Sequence, residues 1–211
     1  MFAYCNNNPI LFADPSGCVP VFPVEISGGG GKPQEIEIPD SIWTKVTGFI
    51  YGQADFEYSD NRVGRGTYAV NGCGIIAIYN ALLLLGCPEP LGLIEAEISN
   101  MGGLWAAGLL GVKPRAIEKY FSSHGISCTG YLSYSAMAQT LSEGDIIIFL
   151  VMNNTDNIME GYHYMTAQYV GGEFIIYNIS KKSKGSVTVP TLDPVYSNAG
   201  WCYGFIIGGL T

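Results

Sequence analysis

Apolar residues fall in two styles along the chain. Residues 73–85, "CGIIAIYNALLLL", form one continuous apolar run, and the Gly86 and Pro88 stop signals that follow predict a buried helix from about Cys73 to Leu85. "KPRAIEKYFSSHG" is amphipathic, with Ile117, Tyr120 and Phe121 on one face and Gly125 as terminator, and predicts a second helix. "SYSAMAQTL" suits a short third one. The style then changes. "DIIIFLVM", "YHYMTAQYV", "EFIIYNI", "SVTVP" and "CYGFIIGG" are short β-branched and aromatic runs separated by Gly, Asn and Asp. Gly171-Gly172 reads as the tight turn of a hairpin. Helices first and an antiparallel sheet second make an α+β fold.

The front of the chain lacks this patterning. Met1–Gly17 is polar and turn-rich, with "CNNNP" and "DPSG". Residues 18–40 are rich in proline and include four consecutive glycines, Gly28 to Gly31, as a flexible connector would be. The compact domain is expected over 41–211.

The formal net charge of -8 disfavours a nucleic-acid partner, whose phosphates need Lys and Arg, and an anionic membrane surface. The longest apolar run is too short to span a bilayer and contains Asn80, so membrane insertion is not expected. The N-terminus lacks the basic and apolar regions of a signal peptide. The six cysteines are scattered without a CxxC pair, so no zinc or redox motif is visible, and most read as buried free thiols.

The candidate chemistry starts at Cys73. A helix N-terminus favours a thiolate, and Gly72 and Gly74 would let a substrate backbone approach and leave N–H groups open to an oxyanion. A cysteine there equally suits a small buried apolar side chain. The base must be one of two histidines. His124 follows a helix, where a cation is mildly favoured at the C-terminus. His163 opens an apolar strand after the polar loop "NNTDN", aimed across a cleft or simply bonded within the sheet. If the two strands flanking Gly171-Gly172 pair, His163 lies beside Asn178, an orienting partner or else a strand-end turn residue. Gln53, in the polar stretch "YGQADFEYSD", is a candidate oxyanion donor or a surface residue.

The pieces "YGQADFEY", "NGCGIIAIYNAL" and "HYMTAQYVGGEFIIYN", in that order, resemble the papain-like cysteine peptidases. They are most similar to the branch of leader-cleaving peptidase domains of bacteriocin exporters. The resemblance covers Tyr51 to Gly208. It implies a nucleophile helix packed on a C-terminal antiparallel sheet, Cys73 as nucleophile, His163 as base, Asn178 as orienting residue and Gln53 as oxyanion donor. It implies no metal or organic cofactor. Papain itself carries its Gln six residues before the Cys, where this chain has Thr67, and many exporter-type relatives use Asp at the third position.

"YCNNNPILFADPSG" resembles the end of an Rhs-repeat core, which precedes a variable effector domain in polymorphic toxins. Residues 1–17 would then be the core remnant. The implied function is a toxin effector, a thiol peptidase acting on target-cell proteins. The implied partners are a protein or peptide substrate and a cognate immunity protein. The implied route is synthesis in a bacterial cytoplasm followed by specialised export. Deamidation or transglutamination by the same residues, leader or self-processing, and a catalytically dead binding module are the alternatives.

Overall fold

The structure, a computed structural model, describes residues 46–153, 161–192 and 200–210. The expected segments 1–17 and 18–40 lie outside the described residues. A small hairpin, β1 (Arg62–Val63) and β2 (Gly66–Thr67), leads into helices α1 (Tyr68–Asn71), α2 (Cys73–Leu84), α3 (Leu91–Asn100) and α4 (Pro114–Ser123). Strand β3 (Ile126–Tyr131) and helix α5 (Tyr134–Ala138) precede β4 (Ile146–Met152), β5 (Tyr162–Val170), β6 (Glu173–Tyr177), β7 (Val187–Val189) and β8 (Gly200–Leu210). The sheet has six strands in the order β3-β8-β4-β5-β6-β7, with every neighbouring pair antiparallel. This is the expected α+β layout, helices first and sheet second. Among the described residues, no helix is long and apolar enough to cross a membrane.

The unbroken apolar run of β4 has a simple cause. Side chains alternate across a strand, and both faces of this one are covered. Ile146, Ile148 and Leu150 pack with α2, Phe205 and Ile207. Ile147, Phe149 and Val151 pack with Met137 of α5, Met165, Ala167 and Leu192. Helix α2 is enclosed in turn, with Cys73 through Leu82 all buried. The Thr166 hydroxyl donates to the Ala77 carbonyl at 2.9 Å and joins β5 to α2.

A buried Asn in the middle of α2 would be costly without partners. Asn80 has them: its Oδ1 accepts the Ile50 N–H at 3.0 Å and its Nδ2 donates to the Ile50 carbonyl at 2.9 Å. This two-bond clamp holds the 46–53 segment over the helix.

The β5–β6 hairpin turns on Gly171 and Gly172, whose φ values of 63° and 80° are the left-handed pair that a two-residue hairpin loop needs. Helix α3 and strand β3 were not expected. Gly86 and Pro88 read as stop signals, yet Pro90 caps α3, which buries Leu91, Ile94 and Ile98. Strand β3 is only partly buried, so "ISCTGY" lacks a clear apolar rhythm. It is a strand because β8 pairs with it.

Candidate active site

Cys73 opens α2 and is about 7% exposed. Gly72 before it has helical dihedrals, so α1 runs almost directly into α2. The expectation that Gly72 and Gly74 open the backbone to a substrate is corrected. A Cβ on Gly72 would come within 2.6 Å of Tyr68 Cα, and one on Gly74 within 2.7 Å of Val112. Both glycines serve close packing inside the protein.

The backbone amides of Tyr164, Gly74 and Cys73 favour the thiolate, as does the Lys181 charge. Burial nevertheless dominates and pushes the Cys73 thiol above its ordinary range.

Tyr164 is the residue after His163 on β5, so its amide brings the two candidates to one place. His163 is buried. Its Nε2 bonds the Asn178 backbone carbonyl at 2.6 Å. A carbonyl only accepts, so Nε2 carries the hydrogen and Nδ1 is the free base of the neutral ring. Burial lowers the His163 pKa to about 4, with the Asn178 carbonyl opposing and Lys181 adding to the fall. Burial therefore favours the neutral form of both thiol and imidazole. No hydrogen bond joins them among the described residues.

Asn178 does meet His163, but through its main chain. The β5–β6 pairing ends at Thr166 with Tyr177. Asn178 then turns left-handed, φ 56°, a conformation that Asn tolerates better than most residues. Its carbonyl thereby faces His163, while its side-chain Oδ1 accepts the Gln53 N–H at 3.0 Å. Its Nδ2 is buried without a hydrogen-bond partner. Asn178 is thus a strand-end turn residue, as one of its two readings had it, and its carbonyl rather than its side chain meets His163.

Gln53 is 1% exposed and is no surface residue. Its Nε2 donates to the Ala69 carbonyl at 3.0 Å and, more weakly, to the Val70 carbonyl at 3.3 Å. Its Oε1 has no partner. The amide thus braces the segment leading into Cys73, and only the longer bond is readily exchanged for another acceptor.

A cleft of about 220 Å³ is lined by Gln53, Val70, Asn153, Tyr162, His163, Ile179, Ser180 and Lys181. Cys73 is not among these lining residues; it is tied to them through the Tyr164 amide, one residue after His163. Lys181 and the Tyr164 amide escaped the sequence reading. The signal for Lys181 was available: a chain that turns at Asn178 beside His163 must carry the next residues along the same cleft.

His124 caps α4, as expected of a helix C-terminus, but it is buried rather than decorative. Its Nδ1 bonds the Tyr120 carbonyl at 2.8 Å, and its Nε2 lies 3.3 Å from Glu97 and 3.7 Å from Glu89. The Tyr120 hydroxyl donates to Glu89. Among the described residues, Glu89, Glu97 and His124 are the group with metal-ligand spacing, their donor atoms within 4.8 Å of one another. Cys73 is a buried free thiol, Cys87 is buried, and Cys128 and Cys202 are free and half-buried. Cys5 and Cys18 lie outside the described residues.

No known family matches the chain by sequence, and no curated protein does so either. Solved structures similar to it include a double glycine motif protease from an AMS/PCAT transporter, in complex with the leader peptide. That similarity has 15% identity and a TM-score of 0.45 over 65% of this chain and 84% of that one. Another is the peptidase domain of Streptococcus ComA, a bifunctional ABC transporter involved in quorum sensing. It is 10% identical with a TM-score of 0.46, over 65% of this chain and 90% of that one.

Proposed function

We propose that the chain is a papain-like cysteine peptidase whose site is Cys73, His163, Asn178 and Gln53. One observation carries this reading. A sulfur facing three backbone amides sits beside a histidine whose Nε2–H is anchored to the Asn178 carbonyl, so that Nδ1 is left as a base.

His163 Nδ1 takes the Sγ proton as Cys73 attacks the substrate carbonyl carbon. The carbonyl oxygen gains the charge and receives the Cys73 N–H, with Gln53 Nε2 exchanging its long bond to Val70 for the oxyanion. The tetrahedral species collapses, the C–N bond breaks, and the amine leaves with the proton from His163. Water then attacks the thioester with His163 as base, releasing the acid and restoring the thiol. Because both partners start neutral, charge separates during attack rather than before it.

The biological role we propose is that of a toxin effector at the tail of an Rhs-type polymorphic toxin. It would act on proteins of a target cell, reach them by specialised export from a bacterial cytoplasm, and be blocked by a cognate immunity protein. The support for this is the sequence Tyr4–Gly17, "YCNNNPILFADPSG".

The test is induced expression in a bacterial cytoplasm of the wild type beside Cys73→Ala, His163→Ala and His124→Ala, all checked for solubility. Arrest by wild type and His124→Ala alone supports a toxic thiol enzyme. Arrest by all four removes the catalytic assignment. In the purified protein, iodoacetamide labelling of Cys73 that His163→Ala suppresses supports the pair independently of toxicity.

A further inference from the structure

The protein is acidic, yet the described residues that line its cleft include no carboxylate. The chain has 10 Lys and Arg against 18 Asp and Glu, and three of those ten cations, Lys181, Lys182 and Lys184, fall within the four residues 181–184. Lys181 lines the cleft, and among the described residues no Asp or Glu lines it. Among the described lining residues, Lys181 is the one with a permanently charged side chain. Its position is fixed from the main chain, because the Lys181 carbonyl accepts the Ala54 N–H at 2.8 Å, one residue beyond Gln53. The neighbouring backbone is tightly apposed as well, since a Cβ on Gly52 would come within 2.5 Å of the Ser183 carbonyl. The side chain itself is exposed. Among the described residues, no carboxylate forms an ion pair with it.

We infer that Lys181 makes the cleft selective for a carboxylate beside the scissile bond, so that the favoured substrates are peptides carrying Asp or Glu, or a terminal carboxylate, next to the carbonyl that Cys73 attacks. This rests on the proposed Cys73–His163 peptidase site and adds a substrate class to it. Ser180 and Asn153 on the same wall offer polar hydrogen-bonding groups beside the ammonium. The Lys181 charge is felt by both Cys73 and His163, so an anion held by it is within electrostatic reach of the site.

The first test needs no known substrate. Iodoacetate and iodoacetamide are nearly isosteric and differ by one negative charge. In both, the Cys73 sulfur displaces iodide from the methylene carbon, and the thiol proton leaves to His163 or buffer. Labelling of Cys73 is followed by peptide mass spectrometry at pH 8 in the full chain, and each rate is divided by that of a small free thiol. The normalised iodoacetate-to-iodoacetamide ratio is expected to exceed one. It should fall roughly threefold to tenfold in Lys181→Ala, fall further in Lys181→Glu, and weaken with added salt. Any change in thiolate population cancels in the ratio. An unchanged ratio in Lys181→Ala, with Cys73 still reactive, overturns the inference and leaves the peptidase reading standing. A Cys73 inert to both reagents overturns both.

The second test digests proteome-derived peptides with free or amidated C-termini. Enrichment of Asp or Glu beside the cleaved bonds supports a side-chain carboxylate. Cleavage restricted to bonds beside free C-termini supports the terminal one. Cleavage indifferent to both overturns the selectivity.

Discussion

His163 is held by the Asn178 main chain, Nε2 to carbonyl oxygen at 2.6 Å, while the Asn178 side chain faces away to the Gln53 amide. The group that meets the imidazole is therefore a backbone carbonyl, and the Asn178 side chain matters because it tolerates the left-handed turn that aims it.

Substitutions at Asn178 should follow that turn. Asn178→Asp keeps both tolerance of the turn and an acceptor for Gln53, and should retain activity within about tenfold. Asn178→Gly keeps the turn but leaves the Gln53 N–H unpaired, which costs about 1–3 kcal/mol of stability. It should still orient His163. Asn178→Val cannot adopt the turn without strain and should lose most activity. The measurement is kcat/KM on a cleaved peptide, with circular dichroism to confirm folding. If folded Asn178→Gly were as dead as His163→Ala, the carbonyl would not be the orienting group.

The neutral resting pair predicts a particular pH profile. Burial raises the Cys73 thiol and lowers His163 to about 4. Alkylation of Cys73 by iodoacetamide should therefore climb steadily from pH 6 to pH 9, as for a protonated thiol being titrated. A preformed thiolate–imidazolium pair would instead give a plateau across the neutral range. A stopped-time labelling series decides between them.

Much of this site was legible in the sequence because its parts are local. A long apolar run that begins with Cys73, a histidine opening a strand and a Gly-Gly turn between two β-branched runs bring Cys73, His163 and Asn178 into one region once helix and hairpin form. What stayed hidden was long-range or main-chain in character. Nothing local says that the Asn178 carbonyl, not its amide, would meet His163, or that the Gln53 donor would already be engaged by Ala69 and Val70. Strand β3 was hidden because its identity depends on β8, some eighty residues later in the chain. Gly72 and Gly74 invited a catalytic explanation, whereas Tyr68 and Val112 supply a packing one.

Asn80 ties the buried helix to Ile50, three residues before Gln53, so its loss should be felt twice. Asn80→Leu strands the Ile50 N–H and carbonyl in the core. A loss of about 2–4 kcal/mol is expected from two unsatisfied buried groups, visible as a lower urea midpoint. In conditions where the variant remains folded, activity should also fall, because Ile50 no longer fixes the segment that carries Gln53. A Leu substitution that left the midpoint unchanged would mean that Ile50 finds other partners.

The two histidines should pull stability in opposite directions with pH. His163 is lowered by burial from 6.5 to about 4, so between these values the unfolded chain binds the extra proton. Its contribution is complete above pH 6.5 and is lost as pH falls toward 4, by about 3 kcal/mol for a shift of this size. For His124, burial opposes the charge, but the Glu97 hydrogen bond, the Tyr120 carbonyl and the Glu89 and Glu97 charges outweigh it and raise the pKa. Its contribution is complete below 6.5 and is lost as pH rises through the raised folded value. Wild-type unfolding free energy should therefore rise with pH on the acid side of 6.5 and decline above it. His124→Gln should flatten the decline while leaving the acid limb, and Glu97→Gln should move the decline to lower pH. Urea melts at half-unit pH steps check this, and a decline that survived in His124→Gln would assign it to groups other than the His124 cluster.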